Sequence, residues 1–219
     1  MLRRLVSGSW LMLRYGPNTV LLAREAKNRG AMQKKGELRP FISFLRKQTL
    51  RTVVELGTYR GGTLWLWSQL AEPEATIVSI DLPGGAFGGG YDDGQAERIR
   101  SLARADQELV LIRADSHLAE TRDELITALD GRPIDFLFID ADHTYEGVRQ
   151  DYEMYAPLVR RGGVVAFHDI LPHTMDEHCK VDVFWEELKS QGMNVEEFVD
   201  RDTRLAERVW GGIGALVAH

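Results

Sequence analysis

"IDFLFIDADHTYEGVRQD", residues 134–151, begins as an apolar run that reads as a buried strand and then places Asp140, Asp142 and His143 where that run stops. Carboxylates beside a dry core are costly unless a cation or hydrogen-bond donors answer them. Either a cation sits at this strand end or a polar network caps it. Both readings make the strand end a meeting point, and the surrounding chain says of what kind.

From Thr52 onward the pattern is regular. The runs TVVEL, TIVSI, LVLIR, IDFLFI and GGVVAF alternate with helix-length stretches at 63–71, 94–106, 117–129 and 145–160. Nearly continuous Val/Ile/Leu strands alternating with helices indicate an α/β fold. Its parallel sheet is covered on both faces and built from right-handed crossovers. A helix over 179–191 and strands near 194–199 and 208–217 complete the expectation, with no internal repeat. Tyr145, Val148, Tyr152, Tyr155 and Val159 recur at helical spacing and are expected in the core, and Asp151 on the same stripe is expected to make a buried structural hydrogen bond.

In such a sheet, ligands bind outside the carboxyl ends of the strands. The runs end at Glu55 with Gly57, at Asp81, at Asp115, at Asp140, and at His168 with Asp169, so each ends in an acid or beside one. Helix N-capping by Asp accounts for one or two of these. The others point to a ligand.

The totals narrow the classes. A chain of 219 residues, 44% hydrophobic, buries one good-sized core, which suggests a basic helical extension over 1–48 and one domain over 49–219. A single cysteine, Cys179, excludes an internal disulfide framework and fits a reduced, cytoplasmic protein in which the thiol is packing. No run approaches the roughly 18 apolar residues of a membrane span. Residues 1–51 hold 12 Lys and Arg against 2 acids, and the remainder 15 against 31. An acidic body argues against nucleic acid as a partner. The basic leader lacks a small-residue cleavage site, and Arg14 interrupts its apolar run. It reads as two short amphipathic helices broken at Gly16-Pro17, packing on the domain or on a sister subunit of a homo-oligomer in preference to a membrane surface.

At the first strand end, "VVELGTYRGGT" supplies Glu55, Gly57, Gly61 and Gly62 with GxxxGG spacing. These glycines let backbone approach a ligand, but the spacing is not the GxGxxG that seats a pyrophosphate on a helix N-terminus. Asp81, closing "TIVSID", is positioned to accept from both hydroxyls of a ribose. A cofactor with a ribose and no phosphate satisfies both observations. S-adenosylmethionine is one, and its cationic groups suit an acidic pocket.

"VVELGTYRGG" resembles the first motif of the class I S-adenosylmethionine-dependent methyltransferases, in the form found in the catechol O-methyltransferase group. "FIDADHTYEGVRQDYEMYAPLVRRGGVVAFHDI" is similar to the later motifs of a bacterial subfamily of macrocin O-methyltransferase-like and cephalosporin hydroxylase-like proteins. The resemblance covers about residues 50–217. It implies a Rossmann-like fold whose seven-stranded sheet is mostly parallel with an antiparallel last strand. It places Glu55, Gly57, Tyr59 and Gly61 around the methionine part of the cofactor, Asp81 on the ribose, and Asp115 and Ser116 beside the adenine.

The resemblance also implies a divalent metal, magnesium or manganese, held by Asp140, His168 and Asp169. His168 stands where the catechol enzymes have a carboxylate, and imidazole is a poor ligand for magnesium and a better one for manganese, iron, nickel or zinc. Without a metal, Asp140 would be a cap, and His168 and Asp169 would bond each other. His143 stands where those enzymes carry a lysine that assists deprotonation; a histidine titrates nearer neutrality and could accept the proton directly, and His168 is a second candidate base. The expected function is O-methylation of a small-molecule hydroxyl, of sugar or natural-product type. Metal-independent transfer with a histidine base, and a non-catalytic cofactor-binding scaffold docked by its leader, are the alternatives. "DLPGGAFGGGYDDG", residues 81–94, reads as a loop able to close over the cofactor, and "LPHTMDEHCKVDVFW", residues 171–185, as a segment that could bring His173 and His178 to the site.

Overall fold

A computed structural model describes residues 11–84, 90–200 and 209–218. Residues 11–15 are helical, and Gly16, at φ 79°, separates them from helix α1 (Pro17–Asn28), which starts on a proline whose missing N–H costs nothing there. Helix α2 (Lys35–Leu45) follows. The α/β alternation then runs β1 (Thr52–Leu56), α3 (Gly62–Leu70), β2 (Thr76–Ile80), α4 (Asp93–Arg100), β3 (Glu108–Ile112), α5 (Ala119–Leu129), β4 (Ile134–Ile139), α6 (Tyr145–Tyr155), β5 (Val159–His168), α7 (Val181–Ser190), β6 (Val195–Phe198) and β7 (Ile213–Val217).

The seven strands form one sheet in the order β3-β2-β1-β4-β5-β7-β6. β1 to β5 pair in parallel, and β7 runs antiparallel between β5 and β6. The order reverses between β1 and β4, which is where the two chain halves open a crevice above the strand ends. The strand period of two sorts the core. Val53, Phe136, Phe138, Val164 and Ala166 face α1, α2, α3 and α4, whereas Val54, Leu137, Ile139, Val165 and Phe167 face α5, α6 and α7. The mostly parallel sheet with an antiparallel last strand and helices on both faces is the expected one.

Differences from the sequence reading lie at element ends. α6 stops at Tyr155 rather than 160, because Pro157 cannot continue it; a 3-10 turn takes its place and Val159 starts β5. α4 stops at Arg100 rather than 106, and Leu102 packs on the same core from a turn. The last strand begins at Ile213 rather than 208, after Gly211 and Gly212 at φ 83° and 88°; residue 208 lies outside the described residues, as do 85–89 of the glycine-rich loop. Of the helical stripe, Val148 and Tyr155 are buried, and Tyr145 and Tyr152 are partly so. Among the described residues no helix is long and apolar enough to cross a membrane.

Candidate active site

The turn after β1 is built around two carboxylates. Glu55 is fully buried, accepting from the Thr58 hydroxyl and the Trp67 indole N–H, both at 2.7 Å. Burial pushes its pKa up to about 8 despite those donors. Asp81, closing β2, accepts the backbone N–H groups of Thr58 at 2.8 Å and Tyr59 at 2.7 Å through Oδ2. Burial raises its pKa, against the pull of those amides. Gly57, at φ 81°, sits where a Cβ would overlap the Asp140 carbonyl, so the turn after β1 can lie against the end of the neighbouring β4 only with glycine there. Gly62 plays the same part toward the backbone of Ala31, which brings the N-terminal segment against the start of α3.

A cavity of about 360 Å³ opens between that turn and the ends of β4 and β5. Gly57, Thr58, Tyr59, Gly62 and Thr63 line one wall, and Asp140, His143, His168 and Asp169 line the other. Ala31, Met32 and Gln33 close it from the N-terminal side, with His173, Met175 and Trp210 on the remaining rim.

The charged wall is tightly knit. His168 Nδ1 faces Asp140 Oδ1 at 3.4 Å and Asp169 Oδ2 at 3.3 Å, and its Nε2 faces Glu37 Oε1 at 3.1 Å. His143 Nε2 lies 3.3 Å from Asp140 Oδ1 and 4.0 Å from Asp169 Oδ2. Asp140 spends Oδ2 on the Gln33 amide, which donates at 2.6 Å. Asp169 holds a left-handed backbone, φ 60°, and its buried Oδ1 has no hydrogen-bond partner among the described residues. Burial opposes charge on His168, but Asp169 and Asp140 overrule it and raise its pKa well above the ordinary value. For His143 burial again opposes charge, and Asp140 and Asp169 again win. Asp169 is correspondingly lowered: burial acts against it, and His168 and His143 more than offset this.

The donor set fits a divalent cation. A carboxylate accepts only, so His168 Nε2 must carry a proton toward Glu37, and Nδ1 then turns either a proton or a lone pair toward two carboxylates. A lone pair there is stable only with a cation between. Ligand atoms from Asp140, His168 and Asp169 lie within 4.8 Å of one another. Ligands about 2.1 Å from an octahedral ion stand about 3 Å apart, close to the separations found here.

The sequence reading placed other residues near the cofactor, and the structure sets them as follows. Gly57, Tyr59 and Gly62 line the cavity, whereas Glu55, Gly61 and Asp81 do not. Asp115 caps its own loop, accepting the His117 N–H at 2.9 Å, and Ser116 is buried with its carbonyl accepting from the Tyr155 hydroxyl at 2.6 Å. His173 reaches the rim with a buried Nδ1 that has no hydrogen-bond partner among the described residues. Cys179, within 4.8 Å of His143 and Asp169, is a buried thiol that burial pushes up to about 12. Gln33 and Glu37 were not anticipated. Glu37 had one signal, as the lone acid in a basic helix, but its partner lies 131 residues away, and Gln33 had none.

A family model described as a methyltransferase domain matches residues 54–170. The chain belongs to that methyltransferase domain family. The methyltransferase is 32% identical over 121 residues to the uncharacterized protein R132 of Acanthamoeba polyphaga mimivirus, and spans about half of that relative, 51%, with 54% of its own length. Among solved structures it resembles the O-methyltransferase TomG of Streptomyces achromogenes, involved in tomaymycin synthesis, in complex with SAM. The TM-score is 0.58 at 18% identity, over 92% of this chain and 90% of that one. An O-methyltransferase from Bacillus cereus in complex with SAH gives 0.57 at 19% identity, over 91% and 89%. MycE of the mycinamycin biosynthetic pathway, in complex with Mg, SAH and mycinamycin VI, gives 0.57 at 15% identity, over 92% of this chain and 54% of that one. The expectation of a class I methyltransferase is thus met in family and in fold.

Proposed function

We propose that this methyltransferase moves the methyl group of S-adenosylmethionine to a hydroxyl of a small molecule, of sugar or natural-product type, with assistance from a divalent metal. The observation that carries this reading is a single cavity bounded by the glycine turn on one side and by Asp140, His143, His168 and Asp169 on the other. Methyl transfer from sulfonium to oxygen is an in-line displacement, so acceleration comes from alignment and from making the oxygen nucleophilic. The backbone of residues 57–62 leaves room for the donor, with Asp81 beside that turn as its ribose partner. His143, in its neutral form, is the candidate base for the hydroxyl proton. Asp140, His168 and Asp169 would hold the metal, which when bound would lower the pKa of the acceptor hydroxyl. Metal-bearing and cofactor-bearing neighbours of the same fold support this reading.

The test is calorimetric titration with the product S-adenosylhomocysteine, followed by transfer of labelled methyl to a panel of hydroxylated acceptors. His143→Ala should retain cofactor binding while kcat falls about a hundredfold or more. Chelator treatment should abolish turnover, with manganese restoring it. Turnover that survives chelation but not His143→Ala would select a metal-independent histidine base instead. Cofactor binding without transfer to any acceptor would favour a scaffold.

A further inference from the structure

The family match begins at residue 54, yet two groups that hold the charged wall come from before it. Glu37 is fully buried in the first turn of α2, and each of its oxygens is committed. Oε1 accepts the Lys34 N–H at 2.5 Å and faces His168 Nε2 at 3.1 Å; Oε2 accepts the Gly212 N–H at 2.8 Å. The Lys34 bond is half of a helix N-terminal capping box, which fixes the carboxylate rotamer. The Gly212 bond ties it to the loop before β7. A carboxylate fixed from two directions holds the imidazole plane and obliges Nε2 to carry the proton. Nδ1 therefore points its remaining valence at Asp140 and Asp169. Gln33 does the corresponding work for Asp140: its amide takes Oδ2, leaving Oδ1 toward His168 and His143.

We propose that Glu37, supported by Gln33, is a positioning residue for the metal site: it orients His168 and fixes its tautomer so that Nδ1 becomes a ligand. This rests on the metal-assisted reading above and deepens it. It also explains how an imidazole serves where a carboxylate would otherwise be expected. A histidine ligand whose other nitrogen donates to a carboxylate is more basic and better oriented, and loss of such a partner weakens metal binding about 10- to 100-fold.

The experiment is titration of the full chain with manganese, followed by the electron paramagnetic resonance of the free ion. Calorimetric S-adenosylhomocysteine binding serves as the check on folding. Wild type should bind manganese, and Glu37→Gln should bind it about 10- to 100-fold more weakly with cofactor-product affinity kept. The same substitution in a His168→Asp background should cost nothing, because no imidazole remains to be oriented. An equal loss in both backgrounds would mean that Glu37 merely supports the fold, and would overturn the proposal. Unchanged manganese affinity in Glu37→Gln would overturn it while leaving the metal reading intact. Wild type that binds the cofactor product but no manganese would remove the metal reading and this proposal together. If Glu37→Gln does not fold, the cobalt-loaded wild type decides. It should show a far-shifted, exchange-protected imidazole N–H proton that His168→Asp lacks, and its absence would overturn the assignment.

Discussion

Glu55 shows how a residue chosen for one expectation can have another consequence. The resemblance implies a place beside the methionine part of the cofactor, whereas on the β1 face toward α3 Glu55 is fully buried and turned to Trp67 and Thr58. The folded protein favours its proton up to about pH 8, against an ordinary value of 4.5. Between those values the unfolded chain releases a proton that the folded one keeps. The contribution to stability is therefore fully present below 4.5 and is lost as pH rises toward 8. Glu55→Gln removes the titration and keeps an acceptor for Trp67. Its melting temperature should fall less than that of wild type between pH 5 and 8. A wild type and variant that melt in parallel across that range would refute the assignment. Asp140 and Asp169 make the complementary point: adjacent acids at strand ends were legible from sequence, because strand periodicity says where each run stops.

Between elements, the segment after β3 is tied to α6 by the Tyr155 hydroxyl on the Ser116 carbonyl and by the pair of His117 with the buried Asp151. Asp151 has no exposed surface, and His117 Nε2 lies 3.4 Å from its Oδ1 while also contacting the Gly147 carbonyl at 3.2 Å. The Asp151 contact is the main reason that the His117 pKa rises to about 9, against the opposing effect of burial. The His117 proton thus contributes stability that is fully present below the ordinary histidine value of 6.5 and is lost as pH passes 9, while burial raises the Asp151 pKa and brings its protonation, which ends the pairing, to a less acidic pH. His117→Leu leaves a buried carboxylate unanswered and should cost about 3 kcal/mol in urea denaturation at pH 6, whereas adding Asp151→Leu should recover most of it. Equal losses in the single and double variants would exclude the pairing. The sequence suggested that Asp151 was structural, since it shared the buried stripe of α6, but it gave no sign of His117 as the partner. Helix ends were also poorly legible: the reading of α6 ran past Pro157, and that of α4 ran past Arg100.

Across the molecule, the N-terminal helices belong to the same core as the sheet. Phe41 of α2 is fully buried, with ring centroids 5.8 Å from Trp67, 5.9 Å from Phe136 and 5.2 Å from Phe198. It therefore bridges α3, β4 and β6. Phe41→Ala should cost about 3–5 kcal/mol in urea denaturation. A chain starting at residue 49, which also lacks Leu38, Ile42 and Leu45, should show no cooperative thermal transition. A fragment that melts like the whole chain would show that those helices contribute little. The sequence by itself determined the alternation of strands and helices, the parallel sheet, and the placement of acids at its rim, because these follow from periods of two and 3.6 residues and from chain direction. Only the tertiary structure decided that α2 lies against the end of β5, so that Glu37 meets His168 and Gln33 meets Asp140. Such contacts depend on how separate elements pack in space, and no local periodicity encodes them.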